Sequence, residues 1–109
     1  MARGTGRMTI YRDDIDRRRF LALLGALSRE HGLNCHAYCL MSNHYHLVVT
    51  TLRGNLPRTM RQLNGIYAQK WNARHAHVGH VFQGRYVAQL VQDGSYFLTV
   101  CAYVALNPV

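Results

Sequence analysis

Two β-forming runs separated by a pair of turn residues constrain the fold of this chain more than any other feature. Residues 33–40 and 44–51 are rich in residue types that favour strands, and Ser42 and Asn43 between them favour a tight turn. An antiparallel hairpin is therefore predicted at this point. A hairpin alone is only marginally stable in water, so other parts of the chain must cover at least one of its faces.

The second run carries two histidines that are separated by a single residue. Side chains alternate along a strand, so His44 and His46 should project side by side from one face. Tyr45, Leu47 and Val49 should then point toward the core. Two neighbouring imidazoles are a natural half-site for a divalent metal ion, because neutral imidazole nitrogens are common ligands. The alternative interpretation is two strand histidines with no special role.

Amphipathic helices are predicted before and after the hairpin. Residues 13–31 begin with aspartates that suit the positive end of a helix dipole, and Gly32 is a plausible stop. Residues 56–74 repeat the helical spacing of apolar side chains. A strand at 85–92 and a last helix at about 94–106 complete the prediction. The apolar stripes of the first two helices are Phe20, Leu23, Leu24 and Leu27, and Leu56, Met60, Leu63, Tyr67 and Trp71.

The basic run at residues 17–19 is interpreted as a solvated helix surface rather than a DNA-binding patch. Acidic residues precede two of these arginines by four positions, a spacing that favours ion pairs on a helix. The predicted pairs are Asp13 with Arg17, and Asp14 with Arg18.

Length and composition indicate one globular domain over residues 1–109, with room for one modest core. Apolar residues make up 49% of the chain, which excludes general disorder. No long apolar run or secretory signal is present, so we expect a cytoplasmic location and no membrane partner. The odd number of cysteines, 3, argues against a disulfide framework.

The formal net charge of +8 points toward a nucleic acid as the partner. Lys70 is the only lysine, and the planar arginine fork suits phosphate oxygens. Only 5 acidic residues are present, too few in suitable places for a carboxylate-based two-metal nuclease. Any metal would therefore be held mainly by histidine and neutral oxygen. Candidate phosphate contacts, which could equally be solvated charges, are Arg58, Arg61, Lys70, Arg74 and Arg85.

A second pair of alternating histidines, His75 and His77, lies with His80 in a predicted loop near Gly79 and Gly84. Little β-forming sequence surrounds this loop, and a loop is a poor preorganised metal site. We interpret it as a basic contact loop that can adapt to a partner.

The last predicted helix carries a polar stripe that could complete a site around His44 and His46. Tyr103 is the candidate nucleophile, and Tyr96, two turns earlier, is its rival. Asn107 offers a neutral oxygen as a third metal ligand, although it could also cap the helix end. A free tyrosine has a pKa of about 10, so attack on a phosphodiester requires that its proton be removed or that the phenolate be stabilised by the metal or by arginine.

The sequence resembles a known family, the single-tyrosine HUH transposases, and most closely the REP-associated tyrosine transposases. The matching segments occur in the expected order and span nearly the whole chain. They are YRDDIDRRRFLALL, HAYCLMSNHYHLVV, GHVFQGRYVAQLV and YVALNPV. The histidine pair alone would be a weak motif, whereas its combination with the Tyr-x-x-x-Asn-Pro ending is specific.

The resemblance implies an α+β, ferredoxin-like antiparallel sheet that carries the histidines, with the tyrosine on a helix laid across it. It also implies Mg²⁺ or Mn²⁺, held by His44 and His46 with Asn107 at the position of a third ligand. The implied activity is that of a DNA nickase and strand transferase. It would act on single-stranded, hairpin-containing DNA through a 5′-phosphotyrosine at Tyr103.

Two departures from the family pattern leave other functions open. Family members usually have a strand before the position that corresponds to Arg3 and Gly4, and here that strand is expected to be absent or replaced by unpromising residues. The chain is also short at both ends relative to the family. An exposed strand edge invites pairing, so a homodimer is a possible state. One alternative function is a degenerate module that binds DNA or RNA hairpins without cutting. Another is a metal-independent ribonuclease using histidine and tyrosine.

Overall fold

A computed structural model of the protein describes residues 1–84, 86–88 and 101. Its three strands form one antiparallel sheet in the order β1-β3-β2. A short 3-10 turn at Thr5–Arg7 follows the first strand. The strands and α-helices are β1 (Ala2–Arg3), α1 (Asp14–His31), β2 (Leu33–Met41), β3 (His44–Thr51) and α2 (Leu56–His75).

The predicted hairpin is confirmed, with β2 and β3 joined by a turn at Ser42 and Asn43. Its register places Met41 opposite His44 at the turn end. A bulge in β2, between Cys35 and Ala37, is the one irregularity in this pairing.

Both predicted helices are confirmed to within a residue at each end. The side chain of Asp13 caps α1 by accepting a hydrogen bond from the Asp16 backbone N–H. Gly32 ends α1 in the left-handed conformation at φ 68°, which glycine adopts without steric cost. The second helix runs one residue past its predicted end, to His75.

One face of the sheet, here called the helical face, is covered by α1 and α2. Tyr45 is fully buried there, and Leu47 and Val49 pack against the same cluster, as the alternation in β3 predicted. The cluster joins side chains from all parts of the described fold: Phe20, Leu24, Leu27, Leu33, Tyr45, Met60, Leu63, Tyr67 and Trp71. This arrangement confirms the predicted α+β class.

The opposite face of the sheet, here called the histidine face, carries a smaller apolar cluster. Ala37, Cys39 and Val48 are buried in it, and Met41 and Cys101 pack against them. Cys101 is helical, and it is the one residue of the predicted helix at 94–106 that the structure describes. Cys101 therefore covers part of the histidine face.

The expected absence of a first strand is corrected by the structure. Ala2 pairs with Tyr45, and Arg3 pairs with His44, so a very short β1 occupies the place beside the histidine strand. On its other side, the Gln83 N–H donates to the Arg3 carbonyl and the Val87 N–H donates to the Met1 carbonyl. Backbone hydrogen bonds satisfy this segment on both sides, although its side chains give no strand pattern.

An ion-pair network ties the start of α1 to the end of α2, and it replaces the pairs predicted from the sequence. Arg74 donates to both carboxylate oxygens of Asp13 and to Asp16, each at 2.7 Å. His75 Nε2 donates to the other Asp16 oxygen at 2.8 Å. Arg17 pairs with Asp14, three residues earlier, rather than with Asp13. Partners in another helix thus replace the ion pairs that the local spacing predicted.

The network keeps its carboxylates ionised. Burial opposes the charged form of Asp16, but hydrogen bonds from the Arg12 backbone, Arg74 and His75 outweigh it, so the pKa of Asp16 is lowered. The hydrogen bond from Arg74 is the main reason why the pKa of Asp13 lies well below its usual range. Asp16 is almost completely buried, so its charge depends on these partners.

Neither α1 nor α2 is long and apolar enough to cross a membrane. Cys35, Cys39 and Cys101 form no disulfide bond with one another. Of the predicted strand at 85–92, the structure describes Tyr86, Val87 and Ala88 only. The other residues of that strand lie outside the described part.

We predict that Gly4→Ala destabilises the protein. A Cβ at this position would fall against the Met8 carbonyl oxygen and 2.9 Å from Ile10 Cγ2, so the turn would have to shift. The expected loss in the free energy of unfolding is about 1–3 kcal/mol, measured by denaturant titration. The matched control is Gly65→Ala in α2, where nothing lies within 4 Å of the added atom. It should stabilise the helix by about 0.5–1 kcal/mol, and equal effects of the two changes would contradict the account.

We predict that Asp16→Asn lowers the free energy of unfolding at neutral pH by about 1–3 kcal/mol, because Arg74 and His75 lose a charged acceptor.

The depressed pKa values of Asp13 and Asp16 also make the stability of the wild type depend on pH. Their stabilisation is complete above the pKa of an unfolded aspartate, about 4, and is lost as the pH falls toward the folded-state values. The variant should show a shallower acid dependence. Asp14→Asn, whose side chain is 78% exposed, should stay close to wild type.

Candidate active site

The two histidines of the Met41–Val49 segment lie side by side on the histidine face, as predicted. The ring centroids of His44 and His46 are 5.0 Å apart, with the ring planes at 86° to each other. Both side chains are half-buried. Tyr45 between them points into the helical face, so strand alternation alone produces this pair.

A hydrogen bond to the neighbouring turn residue orients the first imidazole. His44 Nδ1 donates to Asn43 Oδ1 at 2.7 Å. With the proton held on Nδ1, the lone pair of the neutral ring lies on Nε2, which is the arrangement that a metal-ligating histidine needs. The sequence analysis missed Asn43, although its place next to the histidine in a tight turn was a usable signal.

The surroundings of both imidazoles favour their neutral form. Partial burial is the main cause of the lowered pKa of His44, and the positive charge of Arg3 adds to it. Partial burial also lowers the pKa of His46, with a further contribution from His44. Both rings are therefore available as neutral ligands at neutral pH.

Basic residues that the sequence analysis did not select adjoin the pair. Arg3, Arg7, Asn43 and His44 line a surface cavity of about 280 Å³. Arg3 lies directly opposite His44 in the β1–β3 pairing and projects on the same face. The Gly/Arg-rich start of the chain gave no secondary-structure signal, so only the tertiary fold shows that its arginines reach this site.

A comparison with protein families identifies the chain. The family described as "Transposase IS200 like" matches residues 2–107, nearly the whole sequence. The chain belongs to this family. No curated protein and no solved structure matches it.

Family membership establishes a transposase-type, DNA-processing protein, and DNA is the partner that the family implies. The matched region includes both histidines and also Tyr103 and Asn107. The closer resemblance to REP-associated members stays a prediction. Tyr103, Asn107, Arg85 and the rival Tyr96 all lie outside the residues that the structure describes.

The basic residues predicted on α2 of this IS200-like transposase lie away from the histidines. Arg58, Arg61 and Lys70 are exposed on α2, which covers the helical face. The guanidinium of Arg74 is bonded to Asp13 and Asp16, which favours a structural role over phosphate contact. The structure therefore does not bring these residues together with the histidine pair.

The second histidine pair of the transposase has partners inside the fold, and the predicted loop begins after His75 rather than at it. Its role as a contact loop stays a prediction. His75 belongs to α2 and donates to Asp16. His77 Nδ1 donates to Asn72 Oδ1, and its ring packs edge-on against Trp71. Within residues 1–84, 86–88 and 101, no three His, Cys, Asp or Glu side chains cluster as a metal site.

Proposed function

We propose that this transposase cleaves and rejoins single-stranded DNA through a covalent bond to Tyr103, with His44 and His46 holding Mg²⁺ or Mn²⁺. The observation that carries the proposal is the composition of the histidine face. Two imidazoles whose surroundings favour the neutral form lie there, His44 being oriented by Asn43, and the helical residue Cys101 packs on the same face. Tyr103 follows Cys101 by two positions in the sequence.

The proposed chemistry balances without an additional reactant. The phenolic oxygen of Tyr103 attacks the scissile phosphorus and forms a 5′-phosphotyrosine, while the bond from phosphorus to the 3′ oxygen breaks. The proton that the tyrosine loses is matched by the proton that the leaving 3′-hydroxyl gains. Attack by a 3′-hydroxyl on the phosphotyrosine reverses these steps and joins DNA ends, so the energy of the original bond is retained.

The residues present fit a divalent cation with a partly nitrogenous ligand set. Imidazole donors suit Mn²⁺ better than Mg²⁺, which prefers oxygen. Asn107 is proposed as a third, oxygen ligand. Asn43 would act behind His44 by keeping its Nε2 lone pair available. When bound, such a metal supplies Lewis-acid polarisation of the phosphate.

The basic residues selected from the sequence remain proposed contacts to DNA phosphates. Arg58, Arg61 and Lys70 are exposed on the side of the molecule away from the histidines. We propose that they contact DNA phosphates outside the active site, because α2 lies on the other side of the sheet from the histidine pair. Arg85 stays a proposed phosphate contact, and a hairpin as the preferred substrate is likewise proposed from the resemblance alone.

We expect Mn²⁺ to bind at the histidine pair in the absence of DNA. In NMR spectra, paramagnetic broadening should be selective for the imidazole resonances of His44 and His46. Asn43→Ala should weaken Mn²⁺ affinity about 10- to 100-fold, because the ring of His44 loses its orienting partner.

The control for this experiment is Asn72→Ala, which removes the equivalent hydrogen bond to His77. It should leave Mn²⁺ affinity unchanged. Broadening that is strongest at His75, His77 or His80 would show that the wrong histidines were assigned to the metal.

We expect a covalent protein–DNA adduct that depends on Tyr103. The substrate is a pool of hairpin oligonucleotides with randomised flanks, labelled on either side of the hairpin and incubated with Mn²⁺. Denaturing gels should show a labelled adduct with wild type and only background with Tyr103→Phe, because phenylalanine lacks the attacking oxygen. Adding EDTA should abolish the adduct.

The matched control is Tyr96→Phe, which should form the adduct at a rate within a few-fold of wild type. Loss in this variant, with retention in Tyr103→Phe, would move the nucleophile to Tyr96. DNA binding without an adduct under any metal would favour the binding-only function. An adduct that persists in EDTA would contradict the proposed role of the metal.

A further inference from the structure

We propose that the cavity beside His44 is a phosphate subsite, in which Arg3 and Arg7 bind a backbone phosphate of the DNA strand next to the phosphate that is cleaved. The inference rests on the proposed function, because it concerns the substrate of the same site. Its ligand is a phosphodiester group of single-stranded DNA, recognised without regard to base sequence.

The position of Arg3 is set by backbone pairing. It stands opposite His44 in the sheet, and its carbonyl accepts a hydrogen bond from the Gln83 N–H on the other side. Held from both sides, Arg3 keeps its guanidinium on the histidine face.

Arg7 reaches the cavity through an unusual backbone conformation. Its φ is 63° and that of Gly6 is 58°, so two successive residues are left-handed, which is costly for a non-glycine residue. The turn is held in place by hydrogen bonds from the Gly4 N–H to Asn43 and from the Met8 N–H to Thr5. The structure thus tolerates local strain while placing a second guanidinium beside the first.

The local charge distribution leaves these guanidiniums available for an anion. In the part of the chain that the structure describes, neither Arg3 nor Arg7 forms an ion pair. The acidic residues that it describes lie in or next to α1, on the helical face: Asp13, Asp14, Asp16 and Glu30. Two arginine forks and a neutral amide that line one cavity match the oxygens of a phosphodiester.

Asn43 links this cavity to the proposed metal pair. It lines the cavity and also accepts the hydrogen bond that orients His44. In this proposal, a strand that presents its scissile phosphate to the histidines also lies beside the two arginines. The neighbouring phosphate is the group that would lie there, which makes Arg3 and Arg7 positioning residues rather than catalytic ones.

The test measures binding of fluorescein-labelled oligothymidylate by anisotropy, in EDTA. This DNA cannot form a hairpin, and without metal it is not cut, so only strand binding is reported. Arg7→Gly is the main variant because it removes the charge, while glycine adopts the positive φ freely and should preserve thermal stability. We expect about tenfold weaker binding, as for loss of one charge-assisted contact.

Salt dependence and matched variants complete the design. In Arg7→Gly, the slope of log affinity against log salt should become shallower by about 0.7, the value for one phosphate contact to a single strand. Arg7→Lys should keep the wild-type slope, and Arg3→Gln should weaken binding as Arg7→Gly does. Arg18→Gln, an exposed arginine on α1, removes the same charge elsewhere and should bind almost as tightly as wild type.

The outcome separates this inference from the proposed function. If Arg3→Gln and Arg7→Gly bind no more weakly than Arg18→Gln, the subsite is overturned, even if wild type forms the tyrosine adduct. Absence of measurable wild-type binding at low salt also overturns it. If binding depends on both arginines but no adduct forms with Mn²⁺, the subsite stands and the proposed strand cleavage fails.

Discussion

The pairing of β3 with a strand on each side is the constraint on which the rest of this structure depends. Hydrogen bonds to β1 and β2 fix the orientation of β3, and the two-residue repeat of a strand then sends successive side chains to opposite faces. Tyr45 enters the core beneath the helices, while His44 and His46 emerge on the other side. A slip of one residue would bury the histidines and expose the tyrosine, so burial of Tyr45 also protects the site.

The two faces of the sheet differ in charge as well as in the residues that pack on them. Carboxylates of α1 lie on the helical side, where Asp13 and Asp16 join Arg74 and lock the two helices together. On the histidine face, arginines adjoin the imidazoles. Ion pairs therefore stabilise one layer, while the other keeps positive charge available for a polyanion. The net charge of +8 matters less than this separation.

How far the sequence predicted the molecule can be judged from particular elements. The hairpin and both helices followed from period-2 and period-3.6 patterns, and Asp13 and Gly32 marked the ends of α1 because capping chemistry is local. The predicted ion pairs were wrong, since Asp13 pairs with Arg74 in another helix rather than with Arg17 four residues away. The short β1 was unpredictable because its two residues carry no pattern, and their backbone pairing needs partners that are distant in the chain.

The candidate site, too, was predicted in part from the sequence and decided in part by the tertiary structure. By itself, the sequence determined that His44 and His46 share a face, because this depends only on neighbouring residues. It also supplied the motifs that place the chain among IS200-like transposases, because these depend on matching order along the chain. Only the tertiary structure decided that Arg3 and Arg7 join the histidines, and that His75 and Arg74 serve the helix packing instead. The physical reason is that strand alternation is set by each residue's own backbone, whereas charge partners are set by which distant segments the core brings together.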